Sequence, residues 1–219
     1  VGGKSYAICV VVDQSSSMRG GNKQQLAYLA SLVFLEAFDG LAETSVVGFS
    51  EAGGDDAYLP AHGRRNSYAK AEEMRRRDLF YARTYKHHDA PLGRRTMMVP
   101  ELAISYNTTP MTEGIERGIA ELAKSDREVK AMLVISDGQP NDQDGAERAF
   151  KKAKRFGIET YALHIEGRQR IDLHAALPPG LAWLGSCVDR VTEVHTTTEI
   201  PQAVNRLLRG VLRRGRMVA

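Results

Sequence analysis

Short continuous apolar runs alternate along this chain with segments whose apolar residues recur every three or four positions. Ser5–Val12 is continuous and β-branched, ends at polar Asp13, and reads as a buried strand. After Gly20-Gly21, the residues Leu26, Leu29, Ala30, Val33, Phe34 and Ala37 follow helical spacing and predict a helix over Lys23–Phe38, closed by Asp39-Gly40. The same reading predicts strands at Thr44–Phe49, Ala131–Ser136 and Glu159–Ile165, and helices at Met111–Ala123 and Gly145–Arg155. Leu181–Leu184 and Val191–Val194 flank one further short element, and a last helix starts at Ile200, with Pro201 in its first turn, and runs to Leu212. Strands alternating with helices imply a mostly parallel sheet covered on both faces. The expected fold is therefore α/β and doubly wound, with residues 1–219 as one domain.

Residues 51–108 break this rhythm and read as an irregular charged insertion. Within it Tyr68–Tyr85 has helical spacing and a dense charge run, Glu72-Glu73 and Arg75-Arg76-Arg77. That run reads as a solvated helix face, with a partner-docking surface as the alternative. Met97–Ile104 fits a short strand or a short helix.

Composition narrows the class. The chain has 219 residues, 42% hydrophobic and 26% charged, ordinary values for a globular protein able to bury a core without staples. No run approaches the roughly 18 apolar residues of a membrane span. The first apolar run is too short, and lacks the basic flank, for a signal peptide. Two cysteines, Cys9 and Cys187, make neither a disulfide framework nor a metal motif; Cys9, inside an apolar run, reads as a buried thiol, which favours a reducing compartment, and a cytoplasmic setting is expected. The net charge is +3, but residues 206–219 hold five arginines and no acid. The body is near neutral, which argues against a nucleic-acid-binding surface there.

Three loops carry the candidate chemistry. Asp13-Gln14-Ser15-Ser16-Ser17 follows the first strand, Thr108-Thr109-Pro110-Met111 precedes a helix, and Ser136-Asp137-Gly138 follows a buried strand. Ligands of open parallel sheets bind at the carboxyl ends of strands where the strand order reverses, so these loops can converge on one point. They would assemble two carboxylates and three hydroxyls without thiolate or imidazole. Such an oxygen set suits a hard cation, Mg²⁺ or Mn²⁺ (with Ca²⁺ as a further choice), rather than zinc. Taken alone, Asp-x-Ser-x-Ser after a strand is also a helix-capping pattern. A phosphatase of the haloacid dehalogenase type would need a second Asp where Ser15 stands. Neither a GxSxG elbow nor a GxxxxGK[ST] loop is present.

Asp13-Gln14-Ser15-Ser16-Ser17 resembles the DxSxS motif of von Willebrand factor A domains, whose fold is Rossmann-like. Thr109 and Asp137 stand where that family places the remaining threonine and aspartate of its metal-ion-dependent adhesion site. The resemblance implies that Ser15, Ser17 and Thr109 offer hydroxyls to a divalent cation, while Asp13 and Asp137 act largely through water or hydrogen bonds. It also implies that a partner protein supplies an Asp or Glu to the ion. Asn107–Met111 and Ser136–Asp142, with Tyr85-Lys86 and Asp89-Ala90-Pro91-Leu92, are similar to a narrower bacterial branch. That branch holds the cobalt-chelatase large-subunit and nitric-oxide-reductase activation types, which implies a MoxR-like or chelatase-type AAA+ ATPase as partner. The function expected is a non-catalytic, metal-dependent protein-binding module. The alternatives are a non-ATPase subunit of a chelatase-like complex and an assembly scaffold. Outside this constellation, His87-His88-Asp89 reads as a surface loop, His164 as a core or strand-end residue, and Met97-Met98 and Trp183 as packing.

Overall fold

The structure, a computed structural model, describes residues 5–51, 80–92, 109–138, 140–166 and 179–216. Its strands are β1 (Tyr6–Asp13), β2 (Ala42–Glu51), β3 (Phe80–Lys86), β4 (Val129–Ser136), β5 (Ile158–Ile165) and β6 (Arg190–Val194). Among the described residues the helices are α1 (Lys23–Phe38), α2 (Met111–Ala123), α3 (Gln143–Arg155), α4 (Pro179–Cys187) and α5 (Ile200–Arg216). The strands form one sheet in the order β3-β2-β1-β4-β5-β6, parallel except for β3. This is the doubly wound α/β fold expected, and its order reverses between β1 and β4.

Strand parity explains the two cores. Ile8, Val10 and Val12 of β1 face one side and pack with Leu26, Ala30 and Phe34 of α1 and Ala203, Leu207 and Val211 of α5. Ala7, Cys9 and Val11 face the other, against Met111, Ile115 and Leu122 of α2, Phe150 of α3 and Leu184 of α4. Both faces of β1 are therefore dry, and its run is continuous rather than alternating. Trp183 packs partly buried beside Phe150, as a packing residue should.

The helix expected over Tyr68–Tyr85 is corrected where it is described: residues 80–85 belong to strand β3, antiparallel to β2. Residues 68–79 of that expectation lie outside the described residues, as do Met97–Ile104. So the stretch 51–108 is not irregular throughout. β3 is an edge strand, and its side chains alternate: Ala82 packs on the α2 face and Tyr85 on the α1 face. A register shift opposite Val46/Val47 leaves Tyr85 as an extra residue, and such bulges re-aim a side chain. Here the Tyr85 hydroxyl donates to Gln14 Oε1 at 3.0 Å. His87 follows in the turn after β3, mostly exposed, with its Nδ1 3.1 Å from the buried Glu121 carboxylate of α2.

Two glycines let elements approach closely. A Cβ on Gly114 of α2 would run into the Phe49 ring, and one on Gly48 of β2 would meet Gln14 Oε1 and lie 2.6 Å from Tyr85 Cε2. Gly48→Ala is expected to cost roughly 1–3 kcal/mol, the range for overpacking a tight site. Because Gln14 adjoins Asp13, the same change should loosen the carboxyl end of β1. Denaturant unfolding measures the first effect; an unchanged midpoint would show that Gln14 and Tyr85 give way freely.

Candidate metal centre

At the carboxyl end of β1 the chain turns sharply, and Asp13 and Ser15 are both 2% exposed. Gln14 is buried too, and it fastens this end to the sheet. Its N–H donates to Phe49 O at 2.9 Å, its carbonyl accepts from Ser50 Oγ at 3.1 Å, and its side chain accepts from Tyr85. The Asp13 side chain bridges two loops: Oδ1 accepts from the Ser15 N–H at 2.8 Å and Oδ2 from the Ser136 hydroxyl at 2.6 Å. Burial, and next the charge of Asp137, push the Asp13 carboxyl up to about 6, against the pull of its hydrogen bonds from Ser136 and Ser15.

The hydroxyls lie in line with the second carboxylate. Ser15 Oγ is 3.0 Å from Ser17 Oγ, and the Ser17 hydroxyl donates to Asp137 Oδ1 at 2.8 Å. Ser17 sits in a 3₁₀ turn, Ser16–Arg19, anchored by buried Met18. Gly21 and Asn22 then take positive φ values of 62° and 64°, conformations that glycine and asparagine tolerate best. That double turn starts α1 with Lys23, whose Nζ donates to Asp137 Oδ2 at 2.6 Å.

Four of the five expected site residues are thus joined by hydrogen bonds: Asp13 to Ser15, Ser15 to Ser17, and Ser17 to Asp137. Thr109 is held differently. Its N–H donates to Asn141 Oδ1, and its carbonyl accepts from the Asn141 N–H at 3.3 Å, which ties its loop to the one after β4. Among the described residues no hydrogen bond joins the Thr109 side chain to the other four.

Sequence reasoning missed Ser136 as a partner of Asp13, Lys23 as a partner of Asp137, and Gln14, Tyr85 and Asn141 as supports. Gln14, Tyr85, Ser136 and Asn141 stand inside the motifs quoted for the resemblance, which did not reveal these contacts, and Lys23 left no signal. Lys23 supplies a positive charge to Asp137, the role a bound cation would take. Lys23→Met is therefore expected to tighten Mg²⁺ binding about tenfold, since a charge-assisted hydrogen bond is worth about 1.5–3 kcal/mol and this one is a quarter exposed. Calorimetric titration reads this directly. Weaker binding in the variant would mean that Lys23 holds Asp137 in place rather than competing for it.

Known proteins bear on the fold and the family. Among solved structures the chain resembles the SpaC pilus adhesin of Lactobacillus rhamnosus GG (TM-score 0.63, 14% identity, 96% of this chain and 30% of that one). It resembles BatB of Bacteroides thetaiotaomicron, a conserved hypothetical protein (TM-score 0.63, 15% identity, 96% and 99%). It also resembles proximal thread matrix protein 1 of the mussel byssus, in a structure with a zinc-occupied MIDAS motif (TM-score 0.61, 13% identity, 94% and 46%). The chain spans under a third of the adhesin and nearly all of BatB, and at these identities the likeness concerns the fold. No curated protein matches the sequence significantly. The von Willebrand factor type A domain profile matches residues 7–206, almost the whole sheet and its helices, and the chain belongs to that family.

Proposed function

We propose that this chain is a divalent-cation-dependent protein-recognition module. Ser15, Ser17 and Thr109 would hold the ion by their hydroxyls, with Asp13 and Asp137 acting through water or hydrogen bonds. The observation that carries this reading is the spacing of the oxygens. Neighbouring ligands of an octahedral ion with bonds of 2.0–2.1 Å lie about 2.9 Å apart. The two serine hydroxyls match this, with Ser15 Oγ 3.0 Å from Ser17 Oγ, and the Ser17 hydroxyl is in turn held by Asp137 Oδ1 at 2.8 Å. The donors are all oxygen, which favours Mg²⁺, with Mn²⁺ and Ca²⁺ as the other hard choices. The zinc-occupied motif of the mussel matrix protein supports a divalent ion in a fold of this kind.

A bound divalent ion would supply an electron-poor centre for a carboxylate of a partner protein. The chain's own groups keep it so: hydroxyls are neutral donors, and both carboxylates are already engaged by Ser136, Ser15, Ser17 and Lys23. The role is recognition rather than catalysis, exercised by a single domain over residues 1–219 in the cytoplasm with a MoxR-like or chelatase-type AAA+ ATPase. No described helix is long and apolar enough to cross a membrane. Affinity capture from the source lysate, with Mg²⁺ or with EDTA and with mass-spectrometric identification, tests the reading. An AAA+ protein retained only with Mg²⁺ is the expected result. A partner set indifferent to EDTA would overturn it.

A further inference from the structure

One strand away from Asp137, the carboxyl ends of β5 and β6 bring together a second group of ligating side chains. His164 is fully buried, and the sheet register sets it beside Ser136 of β4 on one side and Glu193 of β6 on the other. Glu166 follows β5, its position set by its N–H, which donates to Val194 O at 3.0 Å. The imidazole Nδ1 points at both carboxylates, 3.8 Å from Glu193 Oε1 and 4.0 Å from Glu166 Oε2. The three ligand atoms lie within 4.8 Å of one another.

These separations are too long for direct hydrogen bonds. Neither ring nitrogen of His164 makes a hydrogen bond of good geometry, the Asp137 backbone being its nearest polar neighbour on that side, and the buried Glu193 Oε1 has no partner either. Native interiors rarely leave an imidazole and a carboxylate oxygen unsatisfied side by side. Ligands held at about 2.1 Å from a common ion stand roughly 3–3.4 Å apart, so the 3.8 and 4.0 Å separations from His164 Nδ1 would close by about half an ångström around an ion. The other oxygen of Glu193 is 3.5 Å from His195 Nε2, and the His195 N–H donates to Glu199 Oε2 at 2.8 Å. The His195 ring thus lies behind Glu193, in the place that outer partners of metal ligands take.

We propose that His164, Glu166 and Glu193 form a second metal site, specific for a borderline transition-metal ion of the Zn²⁺ class. One imidazole with two carboxylates distinguishes it from the all-oxygen cluster at Asp13. Three protein donors leave a coordination position open for water or for a donor group from a partner. The proposal is independent of the site at Asp13.

The test is titration of the untagged chain with Zn²⁺, and with Co²⁺ as a visible-absorption probe, in excess Mg²⁺. The Asp13→Asn chain should bind Zn²⁺ as the parent does. His164→Leu should lose the Co²⁺ absorption band and bind Zn²⁺ at least tenfold more weakly, with an unchanged far-UV spectrum. Glu193→Gln keeps the side-chain volume, should show the same loss, and decides the matter if the leucine variant does not fold. Equal Zn²⁺ affinity and equal Co²⁺ spectra in the parent and Glu193→Gln would overturn the proposal. Loss of Zn²⁺ binding in Asp13→Asn alone would assign the ion to the first site.

Discussion

Asp13→Asn is expected to abolish Mg²⁺ binding and, above pH 6, to make the metal-free domain more stable than the parent. The carboxyl is 2% exposed and faces Asp137, and its value in the folded chain is about 6 against an ordinary 3.8. A folded value above the unfolded one means that the native state keeps a proton which the unfolded chain gives up between those limits. The group therefore costs nothing below about pH 4. The cost grows as pH rises from 4 to 6 and is constant beyond. At about 1.4 kcal/mol per unit, the gap amounts to roughly 3 kcal/mol, a sizeable part of a domain's usual 5–15 kcal/mol. Asparagine removes the charge and keeps an acceptor for the Ser15 N–H, while the Ser136 hydroxyl turns to accept from the new amide. Unfolding in EDTA at pH 4, 5, 6 and 7.5 should show the variant gaining on the parent up to pH 6 and no further. Mg²⁺ should raise the parent's stability and leave the variant's unchanged. A pH-independent difference between the two proteins would refute the electrostatic account, and a retained Mg²⁺ response would refute the site.

The same proton sets the pH dependence of binding in the parent chain. Mg²⁺ requires the ionised carboxylate, so its affinity should fall about tenfold for each pH unit below 6 and level off above it. Calorimetry at pH 5, 6 and 7.5 measures this, and a flat profile would mean that Asp13 does not serve the ion.

How much of this was legible in the chain follows from where each signal is local. α1 and α2 have the predicted limits, Lys23–Phe38 and Met111–Ala123, because helical recurrence of apolar residues and the turn residues that bound it are properties of a segment by itself. The four central strands were visible as apolar runs because both of their faces are covered. β3 was not visible. It pairs with β2 alone, offers small Ala82 and Thr84 to the α2 side, and includes Arg83 and Lys86, so the charge run beside it dominated the pattern. The hydrogen-bonded cluster of Asp13, Ser15, Ser17 and Asp137 was legible as a convergence because each lies at or just beyond a strand end, where a parallel sheet gathers its loops. The bonds Ser136–Asp13 and Lys23–Asp137 were not, because they join residues 123 and 114 positions apart. The His164–Glu193 pairing depends likewise on the register of β5 with β6, which no local pattern records.

Once the partner is known, removing the metal and removing one particular partner carboxylate should weaken binding equally, because both break the same bond. Each is expected to cost at least about a hundredfold in Kd, near 3 kcal/mol, within the range for stripping one member from a desolvated charge pair. Thr109→Ala should reproduce the effect of EDTA if its hydroxyl serves the ion as proposed. A surface ion pair behaves otherwise: it is worth about 0–1 kcal/mol and fades with salt, since screening reaches about 10 Å at 0.1 M. Affinity with Mg²⁺ should therefore change little between about 0.05 and 0.3 M NaCl, because a metal–carboxylate bond of about 2 Å is far shorter than the screening length, still about 6 Å at the upper limit. The decisive measurement combines the two changes. Substituting the partner acid, Asp→Asn or Glu→Gln, and then adding EDTA should produce no further loss, since the second change finds nothing left to remove. Losses that add would place the acid and the ion in separate contacts, and the partner carboxylate would then not be a ligand of the cation.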